Sequence, residues 1–118
     1  MTDSKKYGFT TTTLHSDRQK AIEHGSLHKP IHTSVTFGYN DARELATVFQ
    51  GKKPGYRYGR QGNPTVAALE DKVNKMEEGL STICFATGMA AIGAVVQALL
   101  REGDHVVSSA FLFGNTNS

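Results

Sequence analysis

Tyr58 and Arg60 stand two residues apart in the stretch GYRYGRQGNPT, from Gly55 to Thr65, where two tyrosines, two arginines and three glycines crowd ahead of a helix-like pattern. In an extended segment, side chains two apart point the same way. A planar guanidinium fork and a phenolic donor would then converge on one anion, and the fork suits phosphate oxygens. The same residues also fit a plainer role, with Arg57 and Arg60 as surface charges and Tyr56 and Tyr58 covering the flank of the next helix.

The segment FATGMAAI offers a second anion-suited feature. Thr87, Gly88 and Met89 fall between an expected strand and an expected helix, where free backbone N–H groups and the helix dipole converge. Gly88 has no side chain to keep a phosphate from the backbone. A tight turn alone would also use a glycine at this place. The spacing is neither that of a Walker loop nor that of a dinucleotide fingerprint, which leaves a simple phosphate ester as the ligand class. Two independent phosphate-suited features in one short chain strengthen each other.

The elements that must position these groups follow from the periodicity. Residues 1–40 show little helix or strand pattern beyond a possible turn at Asp17 to Glu23, and are expected to form an extended arm. A short helix is expected from Asp41 to Gln50, with Asp41 and Glu44 in capping-box spacing, Leu45, Val48 and Phe49 on one face, and Gly51 as the stop. Pro54 and the glycines after it make the next stretch a loop. Asn63 can cap, Pro64 suits the first helical position, and Val66, Leu69, Val73 and Met76 recur at helical spacing before Gly79. STICFA, Ser81 to Ala86, suits a strand buried on both faces, and Gly88 to Leu100 reads as a helix ended by Gly103. HVVSS, His105 to Ser109, suits a second strand. Helix, strand, helix and strand in this order imply an α/β layered sheet with parallel strands. The natural division lies at Asn63, with an arm and loop over 1–62 and a sheet domain beginning over 63–118.

Composition narrows the partners. Thirteen Lys and Arg against 11 Asp and Glu give a formal charge of +2 in 118 residues, and the positive residues are scattered, which argues against nucleic acid. No run of the sequence reaches the length needed to span a bilayer, and the amino terminus has no signal-peptide core, so no membrane partner and a cytoplasmic location are expected. The single cysteine, Cys84, cannot form an internal disulfide and is expected to be a buried, inert thiol. His15, His24, His28 and His105 have no second ligand at metal spacing, so no metal site is expected.

YRYGRQGNPTVAALEDKVNKMEEG followed by FATGMAAI resembles the Cys/Met-metabolism enzymes that use pyridoxal 5'-phosphate. That family has Tyr-x-Arg-x-x-Asn-Pro-Thr ahead of a helix, matched by Tyr58, Arg60, Asn63, Pro64 and Thr65. Its Ser-Gly-Met turn is matched by Thr87, Gly88 and Met89, with Thr for Ser. KPIHTSVTF is similar to the family's arm and FLFGNTNS to its next active-site loop, so the resemblance runs from about Pro30 onward.

The resemblance implies the amino-terminal part of a fold-type-I, aspartate aminotransferase-like large domain preceded by an extended arm. It implies cofactor contacts at Tyr58, Arg60, Gly88, Met89 and Phe113: Gly88 and Met89 through backbone amides, Tyr58 and Arg60 from a neighbouring subunit, and Phe113 by stacking on the pyridine ring. It also implies a dimer of dimers and a small amino-acid substrate. Where the family usually has tyrosine in its Tyr-Gly-x-Thr loop, this chain has Phe113, so the ring can stack but supplies no hydroxyl. Similar enzymes with Phe there include sulfhydrylases acting on O-acylated homoserine. The implied activity is therefore γ-replacement on O-acetyl- or O-succinylhomoserine by a thiol, as in an O-acylhomoserine sulfhydrylase or a cystathionine γ-synthase. Methionine γ-lyase, cystathionine lyase and a non-catalytic interaction module are the alternatives. His32 stands where the family often has tyrosine and is expected to pack in the arm rather than act as a base.

The family's Schiff-base lysine and the acidic partner of the pyridine nitrogen lie beyond residue 118, and none of the lysines present has the matching context. The chain is therefore expected to be a fragment or truncated product that assigns no catalytic residue and is inactive alone.

Overall fold

A computed structural model describes residues 7–16 and 23–117. The chain divides into two compact units, Met1–Ile83 and Cys84–Ser118. The element order is α1 (Phe9–His15), a 3-10 turn (Glu23–Gly25), α2 (Ala42–Phe49), α3 (Pro64–Met76), α4 (Gly88–Leu99) and α5 (Gly114–Asn117). Residues 17–22 of the turn expected at Asp17 to Glu23 lie outside the described residues.

In the first unit, α2 and α3 begin where their caps predict. The Asp41 side chain accepts the Arg43 N–H at 2.8 Å, and the Asn63 side chain accepts the Thr65 N–H at 2.8 Å, with Pro64 opening α3. The Asp41–Glu44 capping box does not close on itself, because Glu44 bonds Lys53 instead. That contact raises the Lys53 ammonium above the usual lysine range, through the hydrogen bond first and the charge of Glu44 second. At the far end of α3 the left-handed position is taken by Glu78, at φ 51°, and not by the expected stop Gly79.

The expectation of an extended arm over the first forty residues is corrected at Phe9–His15 by α1. Four consecutive threonines disfavour a helix, since their β-branched side chains are crowded at χ1. The helix nevertheless forms, packed against α3. Lys75 of α3 reaches the carbonyl of Ser16 just past the end of α1, at 3.1 Å, and pairs with Asp71 one turn back at 2.6 Å. A cation at a helix carboxyl end meets unpaired carbonyls and the negative pole of the dipole. Tertiary contact here overrides local propensity.

Past the 3-10 turn, residues 35–37 of the arm pair with the loop. Thr36 and Tyr58 form an isolated antiparallel bridge, with Phe37 N–H donating to Arg57 O at 3.2 Å and Gly59 N–H to Val35 O at 2.7 Å. Beside it, Phe37 and Tyr56 pack ring to ring at 5.6 Å, and the Tyr39 hydroxyl donates to Tyr56 O at 2.8 Å. Val48 of α2 is buried at 1% exposure against this layer.

The second unit is described by itself. α4 is capped by Thr87, and its expected inward residues Met89, Ile92, Val95, Val96 and Leu99 are exposed. The strands expected over Ser81 to Ala86 and His105 to Ser109 are not formed, and no sheet ladder occurs among the described residues. A strand exists by exchanging backbone hydrogen bonds with a neighbour. Neither segment has one, so Phe85 and Val107 stand exposed rather than buried on both faces. Cys84 is correspondingly half-buried rather than enclosed.

Gly55 gives a direct test of the packing around Val48. A Cβ there would collide with the Tyr39 hydroxyl and lie 3.2 Å from both Val48 methyl carbons. Gly55→Ala should destabilise the first unit by about 1–3 kcal/mol, read as a lower midpoint in chemical denaturation.

Candidate functional site

The loop carrying Tyr58 and Arg60 is fixed at its backbone and open at its side chains. Tyr58 O accepts from both Gln61 N–H (2.9 Å) and Gly62 N–H (3.1 Å), which turns the chain immediately after the Thr36–Tyr58 bridge. The Arg60 guanidinium lies over the Tyr58 ring at 5.3 Å from its centroid. The ring steadies the cation without consuming its N–H donors. Among the described residues neither the Tyr58 hydroxyl nor the Arg60 head has a hydrogen-bond partner. The structure thus brings these two expected site residues together.

Arg57, in the same loop, is spent otherwise. Its Nε donates to Gln61 Oε1 at 2.7 Å, its Nη1 to Val48 O at 2.9 Å, and its guanidinium lies 5.0 Å from the Phe49 ring centroid. A charge placed on a carbonyl in the last turn of α2 complements the helix dipole. The two arginines divide the work: Arg57 ties the loop to α2, and Arg60 keeps its donors free among the described residues.

In the second unit, Gly88 and Met89 are the first two residues of α4. Thr87 Oγ1 accepts the Ala90 N–H at 3.1 Å and Thr87 O accepts the Ala91 N–H at 3.2 Å. The Gly88 and Met89 N–H groups precede any intrahelical acceptor, so they point out of the helix end as available donors. A Cβ added at Gly88 would meet nothing within 4 Å. The approach is open to an anion, and the donor set of two amides at the positive end of a helix fits a phosphate dianion. Phe113 is exposed and directly precedes α5. Its loop touches the α4 start, with the Thr116 hydroxyl 3.6 Å from Met89 Sδ.

His32 packs in the arm. Its ring nitrogens face Pro30 O at 3.1 Å and Glu23 Oε2 at 3.2 Å, both acceptors. Sequence reasoning missed what surrounds its backbone. His32 N–H donates to Thr65 Oγ1 at 2.8 Å, and Asn63 Nδ2 donates to His32 O at 3.1 Å. Asn63 and Thr65 were visible only as helix-start residues, and nothing in their local pattern signals an acceptor and donor more than thirty residues back.

The Thr87 cap can be tested directly. Thr87→Ala should cost about 1 kcal/mol of α4 stability, whereas Thr87→Ser, which keeps the oxygen, should cost little; helical circular dichroism during thermal melting reads both.

The profile of the family described as Cys/Met metabolism PLP-dependent enzyme matches residues 10–118. L-methionine γ-lyase of Fusobacterium nucleatum subsp. polymorphum is 38% identical over 114 residues, 97% of this chain and 29% of that protein. Homocysteine/cysteine synthase of Kluyveromyces lactis is 34% identical over 109 residues, 92% of this chain and 24% of that protein. Among solved structures, that of metB from Corynebacterium glutamicum superposes with a TM-score of 0.70 at 36% identity, over 84% of this chain and 24% of that one. The chain therefore spans less than a third of the length of these relatives. Its fold is that of the amino-terminal region of a fold-type-I PLP-dependent enzyme. With the family profile extending over nearly all of its length, the chain belongs to the Cys/Met metabolism family of PLP-dependent enzymes.

Proposed function

We propose that this chain supplies the phosphate-binding half of a pyridoxal 5'-phosphate site in an enzyme that exchanges the γ-substituent of an O-acylated homoserine for a thiol. The observation that carries the reading is the pair of donors on Tyr58 and Arg60 left unspent among the described residues, held together by the ring contact while neighbouring Arg57 bonds Gln61 and the Val48 carbonyl. The sheet-domain portion that holds the cofactor begins at Asn63, and the arm and loop before it serve a second copy.

Each residue has a defined task. The Gly88 and Met89 amides donate to phosphate oxygens at the end of α4, and Thr87 keeps that end of the helix wound so that the two donors stay parallel. Arg60 neutralises phosphate charge with a forked pair of donors, and the Tyr58 hydroxyl adds a third direction. These two come from the neighbouring copy in a dimer of dimers, so the site is completed only on assembly. Phe113 stacks on the face of the pyridine ring. Lacking a hydroxyl, it cannot move a proton, and it excludes water from that face. When bound, the cofactor supplies an electron sink for the bond-breaking at the substrate α-carbon. None of the described residues is assigned a proton-transfer step. A cytoplasmic location fits a soluble metabolic enzyme of this kind, and no described helix is long and apolar enough to cross a membrane.

A second reading, γ-elimination from methionine, is favoured by the 38% identity to a methionine γ-lyase. Against it stands Phe113, which removes the phenol that the resemblance associates with the lyases. Sulfide-dependent homocysteine formation from O-acetylhomoserine, set beside ammonia release from methionine, separates the two.

The phosphate role has its own test in the assembled holoenzyme containing this chain. Arg60→Ala should weaken cofactor binding about tenfold or more, and Tyr58→Phe by a smaller factor. Equilibrium dialysis against pyridoxal 5'-phosphate measures both, and unchanged affinity in Arg60→Ala would remove Arg60 from the site.

A further inference from the structure

Asn63 carries two hydrogen bonds of opposite sense. Its Oδ1 accepts from Thr65 N–H, which caps α3, and its Nδ2 donates to the carbonyl of His32 in the arm. Thr65 Oγ1 accepts the His32 N–H at 2.8 Å, so both backbone groups of one arm residue are gripped by two side chains at the start of α3. The donor and acceptor neighbours fix which way the Asn63 amide faces.

From His32 the arm runs four residues to Thr36, which bridges to Tyr58. From Tyr58 the loop returns through the Gln61 and Gly62 turn to Asn63. The arm segment 32–36 and the loop segment 58–63 therefore form a closed ring, shut at one end by the Asn63–Thr65 grip and at the other by the two bridge hydrogen bonds. An isolated two-stranded pairing is marginal in water. Its formation depends on how far the ends are already brought together, because closing a loop costs entropy.

We infer that Asn63 and Thr65 are positioning residues: by gripping the His32 backbone they hold the arm in register with the loop, and so set where Tyr58 and Arg60 are presented. This role is distinct from capping α3, and its consequence for the cofactor rests on the phosphate reading above.

Asparagine and aspartate cap helices about equally well. Asn63→Asp therefore keeps the cap but replaces the donor facing His32 O with a second acceptor. Thr65→Val removes the acceptor for His32 N–H, and Thr65→Ser restores it. Amide hydrogen exchange on the full chain, followed by NMR, should show protection at Phe37 and Gly59 falling about tenfold in Asn63→Asp and in Thr65→Val. Thr65→Ser should match the parent, and the amides within α3 should be unchanged in all three. Unchanged protection at Phe37 and Gly59 in Asn63→Asp would overturn the proposal. So would a parallel loss throughout α3, which would show that the asparagine acts as a cap alone. In the holoenzyme, Asn63→Asp should lower affinity for pyridoxal 5'-phosphate in the same direction as Arg60→Ala. If exchange responds as described but Arg60→Ala binds normally, the grip stands and the phosphate reading fails. If Arg60→Ala weakens binding while Asn63→Asp alters neither exchange nor affinity, the positioning role fails and the phosphate reading stands.

Discussion

The hydrogen bonds between the start of α3 and the backbone of His32 are the constraint on which the first unit depends. Among the described residues the other ties of this unit's arm and loop are an isolated bridge, an aromatic pair and a few side-chain hydrogen bonds, and Val48 is its most deeply buried apolar side chain. A chain with so small an apolar centre gains its shape from directed contacts, and directed contacts need their partners already in register. Asn63 and Thr65 supply that register because a helix start is rigid and their side chains project from it at fixed angles. The arm is thereby anchored to the most regular element available, and the loop between them inherits its course.

The second unit is governed by a different constraint. α4, Gly88–Leu99, contains Gln97 as its sole polar side chain and is apolar around its whole circumference. A helix of that kind belongs inside a layered α/β structure, covered on several sides. The segments expected as strands on either side of it have the composition of buried parallel strands. Its amino end is nonetheless wound by a local cap, since the Thr87 bonds lie within residues 87–91.

Much of this was legible in the sequence. The helices from Asp41, Asn63 and Gly88 carry apolar periodicity, and the first two begin at the residue their caps predict. The pairing of Arg60 with Tyr58 was also visible from their spacing, although the two meet across the turn after Tyr58 and not along an extended segment. What escaped was everything set by distant partners. Helix α1 forms from a threonine run because α3 lies against it, and strand character at Ser81 to Ala86 needs a neighbouring strand that the described residues lack. The grip on His32 escaped for the same reason: a capping asparagine shows its local acceptor role in the sequence and hides its long-range donor role.

The most direct test is a crystal structure of the cofactor-bound enzyme that contains this chain. The cofactor phosphate should lie within hydrogen-bonding distance, roughly 2.7–3.2 Å, of the Gly88 and Met89 amides of one copy and of the Arg60 and Tyr58 side chains of another. A phosphate held without Arg60 and Tyr58, or held with all four residues from a single copy, would contradict it.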